Sequence, residues 1–451
     1  MSVEIKKIKP LRSITLLLVF SIGASITYKI QTGPQNIEVA SYSSSYRENG
    51  QELFVGTGKA RLELEEGTNL AGYRPFRGAK VSTDLESPLE TRVLYLKLAD
   101  DDEEVKPGLL MISVDVLGIP GPLADKMKSR LSSLGIPPAQ IFLFASHTHN
   151  GPDTIGIWGG LSAQMKASIL AAIVTASKNA IASQERASLW YATGETSIPA
   201  IDRRNPTQKL QPNGLSLLEF RTLERKISVI FYAAHPVALG SRSLVPSADY
   251  VGMLLKQLNT SSKSTYHFFN GALGNVNPPH LQAGEVSMND HKILRRNAKN
   301  FSQQIAHSIY AIEKNLRQWP ISSLSVTTVD FSTPVEHFPA EVFNALGLIS
   351  MNVDFNNHLI APVSRISLGS QIHFITAPGE VVKTYEQQLN QELGFSPIIL
   401  SLCNDTWGYF LPEKSIRPEG GTEENMILKK DVGDRWYQTA KELLLRQENH
   451  L

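Results

Sequence analysis

The stretch Phe142-Leu143-Phe144-Ala145-Ser146-His147-Thr148-His149-Asn150-Gly151-Pro152 is an apolar, strand-like run that ends in His-x-His and then breaks at Gly-Pro. Side chains two apart on an extended backbone point to one face, so His147 and His149 are predicted to project together from a strand end. α/β proteins place ligands at such ends. The pair predicts a zinc site, or one metal ligand beside one general base, and two satisfied loop histidines are the alternative.

The composition is that of a globular protein with a sizeable core. Of the 451 residues, 42% are hydrophobic and 19% are charged, and the net charge is +1. A chain so nearly neutral has no basic stripe for nucleic acid, so no nucleic-acid partner is expected. Its single cysteine, Cys403, excludes an internal disulfide framework and a cysteine-based zinc knuckle. The ligands of a bound metal would therefore be histidine, carboxylate or a rarer ligand type.

The N-terminus has the pattern of an export signal. The run over 14–26 is apolar and too short for a comfortable membrane span. It follows four basic residues, Lys6, Lys7, Lys9 and Arg12. We expect residues 1–28 to be a signal peptide or a signal anchor, with a buried N-terminal helix as the alternative. The protein is then extracytoplasmic, either secreted or periplasmic, or anchored at the membrane surface by this segment.

The rest of the chain reads as a linker followed by one domain. Residues 29–52 are polar and serine-rich, which predicts a linker. From residue 53 to residue 451, strand-like runs alternate with helical ones, and no Pro/Gly/Ser-rich segment interrupts them. This alternation predicts an α/β fold in which a mixed central β-sheet is covered by helices on both faces, in a single large domain.

Two further strand-like runs end in residues that can bind a metal. The run over 229–234 leads into His235-Pro236, and proline holds the preceding residue extended. The run over 374–377 leads into Pro378-Gly379-Glu380, where Glu380 is predicted to open a helix near its positive end. For Glu380 alone an ordinary first-turn carboxylate is the alternative. Two histidines and one glutamate form a known zinc set that leaves a position open for water.

In their order along the chain, these segments resemble the neutral (non-lysosomal) ceramidase family. The resemblance covers nearly everything after residue 52. It rests on Val55-Gly56-Thr57-Gly58-Lys59-Ala60, Leu70-Ala71-Gly72-Tyr73, Asp115-Val116-Leu117-Gly118-Ile119, Ser146-His147-Thr148-His149-Asn150-Gly151-Pro152, His235-Pro236, Ala377-Pro378-Gly379-Glu380 and Asn404-Asp405-Thr406-Trp407-Gly408-Tyr409. The family binds one zinc ion in a deep pocket and cleaves the amide of ceramide.

The resemblance implies roles for particular residues. His147, His235, Glu380 and Tyr409 match the family's zinc ligands. His149 matches a histidine that polarises the substrate or moves a proton. Arg203 is similar to an arginine of a substrate-binding element, and a surface arginine pair is the alternative.

The chain departs from the family pattern at the position of a serine discussed as a nucleophile. That serine is Asn277 here, and a neighbouring aspartate is Asn275. An amide cannot act as a nucleophile, although it can donate a hydrogen bond to an oxyanion. The later Tyr-Glu-Gly element is altered to Pro418-Glu419-Gly420. The resemblance is thus to a divergent member that spans the catalytic domain without the family's C-terminal β-sandwich.

The sequence therefore predicts a zinc-dependent amidohydrolase. We expect it to hydrolyse the amide of an N-acyl lipid, ceramide or a related N-acyl compound, through a zinc-activated water. One alternative is a non-catalytic, exported lipid-binding protein that retains the ceramidase fold. A hydrolase of unrelated type is less well supported, because the chain has neither a G-x-S-x-G elbow nor an H-E-x-x-H helix.

Overall fold

The computed structural model describes residues 42–50, 52–73, 80–81, 88–99, 107–196, 198, 200–205, 209–210, 214–241, 243–279, 290–347, 349–354 and 356–446. The predicted signal over 1–28 lies outside these residues. From Tyr42 onward the chain forms one compact unit. Within the described ranges, no helix is long and apolar enough to cross a membrane.

The described residues form strands and helices that alternate along the chain. The strands are β1 Tyr42–Asn49, β2 Glu52–Arg61, β3 Asn69–Leu70, β4 Lys80–Val81, β5 Glu90–Ala99, β6 Leu109–Val114, β7 Ile141–Ala145, β8 Glu185–Glu195, β9 Ala200–Asp202, β10 Lys209–Leu210, β11 Gly214–Arg221, β12 Lys226–Tyr232, β13 Ser264–Asn270, β14 Val276–Asn277, β15 Arg317–Gln318, β16 Ser323–Pro334, β17 His358–Leu368, β18 Ile372–Thr376, β19 Glu380–Val381, β20 Ile398–Leu400 and β21 Tyr409–Phe410. The helices are α1 Gly121–Ser132, α2 Ala163–Ala182, α3 Asp249–Leu258, α4 His291–Glu313, α5 Phe338–Ala345, α6 Lys383–Leu393 and α7 Val432–Leu445.

The largest sheet has nine strands and is mixed. Its order is β13-β12-β11-β8-β2-β5-β6-β7, with β15 beside β8. The pairs β12/β13 and β6/β7 are parallel, and the others are antiparallel. One face packs against helices α1 to α4 through two apolar clusters. The mixed α/β fold in one domain is therefore confirmed.

The second face of this sheet is covered by another sheet, where the sequence predicted helices. This five-stranded sheet has the order β1-β16-β17-β18-β20. A single apolar cluster joins the two, with Val55 and Leu94 from the large sheet and Val326 and Phe374 from the small one. Helix α7 lies on the outer side of the smaller sheet. Apolar strand-like runs in a sequence do not reveal how many sheets the strands form.

The predicted linker over 29–52 is corrected in its last part. Residues Tyr42–Asn49 form β1, which pairs antiparallel with β16 from Tyr42–Val329 to Asn49–Ser323. A ladder of backbone hydrogen bonds holds a polar strand as well as an apolar one, so composition alone is a poor guide at a sheet edge. The first part of the predicted linker lies outside the described residues.

Three parallel strand pairs organise one end of the molecule. They are β6/β7 and β12/β13 in the large sheet and β18/β20 in the small one. The carboxyl ends of parallel neighbours lie at the same edge, so the loops that follow them meet. The side-chain amide of Asn270, at the end of β13, donates hydrogen bonds to the carbonyl oxygens of Ala145 (3.3 Å), the last residue of β7, and of Ser146 (2.8 Å), which follows it. The two edge strands of the large sheet are thereby joined next to His147.

Candidate metal centre

Each of the three parallel pairs delivers one metal-binding side chain. His147 follows β7, His235 follows β12 and Glu380 follows β18. The three side chains are buried, and each offers one ligand atom within 4.8 Å of the other two. The structure therefore brings together the two histidines and the glutamate that the strand ends suggested, and this cluster can hold a metal ion.

The histidines are oriented by backbone carbonyls that follow the neighbouring strand of each pair. Nδ1 of His147 donates to the carbonyl oxygen of Leu117, after β6, at 2.7 Å. Nδ1 of His235 donates to the carbonyl oxygen of Val276, after β13, at 3.1 Å. A carbonyl can only accept, so both Nδ1 atoms carry the proton and both Nε2 atoms keep a lone pair in the neutral imidazoles. Metal-bound histidines typically donate the proton of their other ring nitrogen to a backbone carbonyl in this way.

Glu380 completes a set of three acceptors. Its Oε2 lies 2.8 Å from Nε2 of His235 and 3.3 Å from Nε2 of His147. Burial lowers the pKa of His235 to about 4, although the hydrogen bond to Glu380 opposes that shift, so this ring is neutral at pH 7. Burial raises the pKa of Glu380, but protonation of either histidine would add a charge and a hydrogen-bond donor that lower this pKa well below its usual range, so the carboxylate is ionised at pH 7. Two imidazole lone pairs thus converge on one carboxylate.

This donor set fits a divalent cation. Two Nε2 atoms and one carboxylate oxygen are borderline and hard donors of the kind that zinc accepts in three-ligand sites. A cation between them would relieve the contact between acceptors. The residues present therefore fit the group that the sequence implies.

The strand-face argument for His147 and His149 is wrong, although the two rings are close. Strand β7 ends at Ala145, and His147 has a φ of +67°, in the left-handed region. The backbone amides of Ser146 and His147 instead donate to the carbonyl oxygens of Val114 and Val116. The two ring centroids still lie 5.1 Å apart and at right angles. The turn, rather than a shared strand face, aims the rings at the same space.

The prediction that Glu380 opens a helix is also corrected. Glu380 lies in the short strand β19, which pairs parallel with β21 and sets Glu380 opposite Tyr409. The helix α6 begins at Lys383. The backbone amide of Glu380 donates to the carbonyl oxygen of Gly408 at 2.7 Å. Backbone pairing therefore brings Glu380 to the cluster, and a helix dipole does not.

Tyr409 and Arg203 border the cluster on the side of His235. The phenol oxygen of Tyr409 and Nε2 of His235 each accept a hydrogen bond of 3.2 Å from Nη1 of Arg203. A guanidinium can only donate, which agrees with a lone pair on that Nε2. Burial raises the pKa of Tyr409 well above its ordinary value, while the charge of Arg203 opposes the shift. Arg203, which resembles an arginine of the family's substrate-binding element, thus lies at the site. The alternative, that it belongs to a surface arginine pair, does not hold.

His149 lies next to the cluster without belonging to it. Its ring centroid is 6.2 Å from that of His235, and the ring of Tyr73 meets it edge-on at 4.9 Å. Burial lowers the pKa of His149 well below its ordinary value, and the neighbouring histidines add to this shift. The ring is therefore neutral at pH 7.

Asn277 follows the residue that orients His235. Strand β14 consists of Val276 and Asn277, and the carbonyl oxygen of Val276 accepts the hydrogen bond from Nδ1 of His235. The Asn277 side-chain oxygen is buried and has no hydrogen-bond partner within the described part of the chain. Asn275 has a structural role, because its side-chain oxygen caps the start of α6 by accepting from the amide of Lys383 at 2.8 Å.

Sequence reasoning missed the carboxylate that fixes Arg203. Oε1 of Glu423 lies 2.7 Å from Nε of Arg203, and Oε2 lies 2.9 Å from Nη2 of Arg417. Glu424 pairs in turn with Arg204 and Arg417. The adjacent acidic pair gave no signal in the sequence, because such pairs are usually solvated.

No protein-family model matches the chain, and no curated protein matches it. Among solved structures, neutral ceramidase from Pseudomonas aeruginosa has a TM-score of 0.69 at 14% sequence identity, over 88% of this chain and 74% of that one. A ceramidase complexed with C2 has a TM-score of 0.68, also at 14% identity, over 88% of this chain and 75% of that one. The two sheets, the helices on their outer faces and the buried cluster thus belong to a chain with a neutral-ceramidase-like fold at low sequence identity.

Proposed function

We propose that the chain is a zinc-dependent amidohydrolase that cleaves the amide of an N-acyl lipid or a related N-acyl compound. The observation that carries the proposal is the convergence of Nε2 of His147, Nε2 of His235 and a Glu380 oxygen, with both Nδ1 protons held by carbonyls. The likeness of the fold to ceramidases, whose name denotes hydrolysis of an N-acyl lipid, supports the substrate class.

The residues around the cluster supply what amide hydrolysis requires. A zinc ion, when bound, supplies a Lewis acid that activates water at neutral pH. His149 accepts the proton of the attacking water and returns it to the leaving nitrogen. Arg203 provides a donor for the charge that develops on the carbonyl oxygen. Tyr409 is also proposed as a fourth ligand. No step needs a serine, which is consistent with Asn277.

We further propose that the enzyme acts outside the cytoplasm. The basic and apolar N-terminus over 1–28 supports export, with the protein either released or anchored at a membrane surface. An N-acyl lipid resides in a bilayer, so an exported enzyme with this specificity would meet its substrate at a membrane.

Two measurements on the purified protein test the proposal. The protein is stripped with chelator and reconstituted with zinc, and bound metal is counted by elemental analysis. We then follow fatty-acid release from a panel of ceramides, other N-acyl lipids and short N-acyl amides. We expect one zinc per chain and zinc-dependent release. Failure to bind zinc would contradict the metal centre, and full zinc without cleavage of any amide would favour the lipid-binding alternative.

A further inference from the structure

Helix α5 is apolar yet hardly buried. Its sequence is Phe338-Pro339-Ala340-Glu341-Val342-Phe343-Asn344-Ala345, and Ala340 is its one buried residue. Phe338 is 47% exposed, and Leu346, directly after the helix, is 60% exposed. Large apolar side chains that are exposed close together can form an interaction surface. We define the α5 surface as Phe338, Leu346 and the nearby Met426, which is 42% exposed.

The α5 surface adjoins the wall of the metal centre. The carbonyl oxygen of Asn425 lies 2.8 Å from Nε2 of His337, directly before α5. On its other side the same segment packs against Gly408, where a Cβ would clash with the carbonyl of Met426. This segment also carries Glu423, which holds Arg203. One short stretch of chain thus has the metal centre on one side and the α5 surface on the other.

The metal centre, the α5 surface and the point where the chain enters the fold all lie at the same end of the five-stranded sheet. Strands β16 and β18 are each antiparallel to β17, so they run in the same direction. Strand β16 leads to α5, and β18 leads to Glu380. Strand β1 runs opposite to β16, and its first residue, Tyr42, pairs with Val329. The chain therefore enters the fold at the end that bears both the metal centre and the α5 surface.

We propose that the α5 surface docks on a lipid bilayer and holds the metal centre toward it. The inference rests on the proposed function for its substrate, but the docking itself does not. The predicted signal or anchor lies upstream of Tyr42, and about 15 residues separate the apolar run from β1, a reach of up to ~50 Å. A segment that inserts in a membrane would therefore bring this end of the domain near the same bilayer. The exposed Phe338 and Leu346 would then meet acyl chains instead of water.

The test reports the surroundings of the patch itself in the full chain, because the N-terminus can also bind lipid. Phe338→Cys is labelled with an environment-sensitive fluorophore; the native Cys403 is buried and should not react. The matched control is Leu223→Cys, which replaces a 99% exposed leucine in the turn between β11 and β12. Both are mixed with vesicles of equimolar phosphatidylcholine and phosphatidylglycerol, with or without acyl-chain nitroxides.

We expect a blue shift and nitroxide quenching at position 338 and neither at position 223. Equal responses at the two positions would overturn the proposal. A blue shift at position 338 that appears without vesicles as the protein concentration rises would also overturn the proposal. It would show that the α5 surface binds a second copy of the chain.

A kinetic arm separates docking from chemistry. The double variant Phe338→Ser/Leu346→Ser should raise KM for a vesicle-borne N-acyl lipid by about tenfold or more, the factor expected from losing the burial of an apolar side chain. Its turnover of a short, soluble N-acyl amide should match the wild type. An unchanged KM on vesicles would contradict docking. A wild type that cleaves neither substrate would contradict the hydrolase, and the quenching result would still decide the docking surface.

Discussion

Gly72 lies directly against His149: a Cβ at Gly72 would be 2.6 Å from the Cβ of His149. Gly72 also has a φ of +100°, which residues with a side chain rarely adopt. We predict that Gly72→Ala displaces His149 from its place beside the cluster. Turnover of the best amide substrate should fall by roughly 10²-fold, because a misplaced proton-transfer group loses most of its effect. Bound zinc should remain at one per chain by elemental analysis.

The control for this prediction is Gly135→Ala. Gly135 has a φ of +83°, but a Cβ there would meet no atom within 4 Å. Both variants carry the cost of a left-handed backbone, on the order of 1 kcal/mol, whereas only the first meets His149. Normal activity in both variants would show that the position of His149 does not depend on the close contact with Gly72.

Replacing His147 should abolish zinc binding, whereas replacing His149 should lower turnover and leave zinc bound. His147→Ala removes one of the three converging ligand atoms, so we expect it to abolish stoichiometric zinc binding. His149→Ala leaves the cluster whole, and we expect full zinc with turnover lower by about 10²–10⁴-fold. Zinc content and amide hydrolysis are measured on both variants. Equal loss of zinc would make His149 a ligand and exchange the proposed roles.

The sequence could predict the members of the cluster because each follows a strand-like run. His147, His235 and Glu380 all stand where an apolar segment ends, and neighbouring parallel strands carry such ends to one place. The α/β class follows from the same alternation of strands and helices. Tyr409 came from the family resemblance alone, because a tyrosine after glycine is usually an ordinary core aromatic.

The remaining features depend on contacts between distant segments. The carbonyls of Leu117 and Val276 that orient the histidines carry no side-chain signal, since any residue supplies the same carbonyl. The left-handed turn at His147 replaces the predicted extended backbone because the amides of Ser146 and His147 pair with the carbonyls of Val114, at the end of β6, and Val116, just after it. Glu423 was missed for a similar reason, as its partner Arg203 is distant in sequence.

The buried ion pair between Arg203 and Glu423 gives a further prediction. Glu423→Gln removes the charge that holds the guanidinium, whose Nη1 faces Tyr409 and His235. We expect kcat to fall by about 10–10²-fold with zinc content unchanged, because Arg203 is then no longer fixed against the substrate carbonyl.

The adjacent carboxylate provides a matched control for that effect. Glu424→Gln also removes a buried acceptor from the same segment, but Glu424 holds Arg204 and Arg417. Its turnover at neutral pH should stay near the wild-type value. The role of Arg203 would be refuted if both variants lost activity equally, since the loss would then reflect the segment as a whole.

Glu424 should make the fold sensitive to acid. Its Oε1 accepts hydrogen bonds from Nη2 of Arg204 (2.5 Å) and Nε of Arg417 (3.0 Å), and its Oε2 accepts one from Nη2 of Arg417 (2.9 Å). Burial raises the pKa of Glu424, but the hydrogen bonds, led by that of Arg417, outweigh it and lower the pKa to about 2. The folded state therefore favours the ionised carboxylate more than the unfolded chain does, where the pKa is near its ordinary value.

The sign of the pH dependence follows from this depressed pKa. A folded pKa below the unfolded one stabilises the protein above about pH 4.5, and the contribution is lost as the pH falls through about 2. We predict that Glu424→Gln lowers the free energy of unfolding at neutral pH by about 1–3 kcal/mol, as expected for hydrogen bonds between charged groups. The gap from the wild type should narrow progressively below about pH 4.5. Urea unfolding of metal-free protein at a series of pH values measures this difference in the free energy of unfolding without a contribution from zinc loss.

The control Glu392→Gln breaks the exposed pair with Lys441 (2.6 Å) and should change stability little at any pH. A gap for Glu424→Gln that stayed constant down to about pH 3 would show that the carboxylate charge does not stabilise this part of the fold.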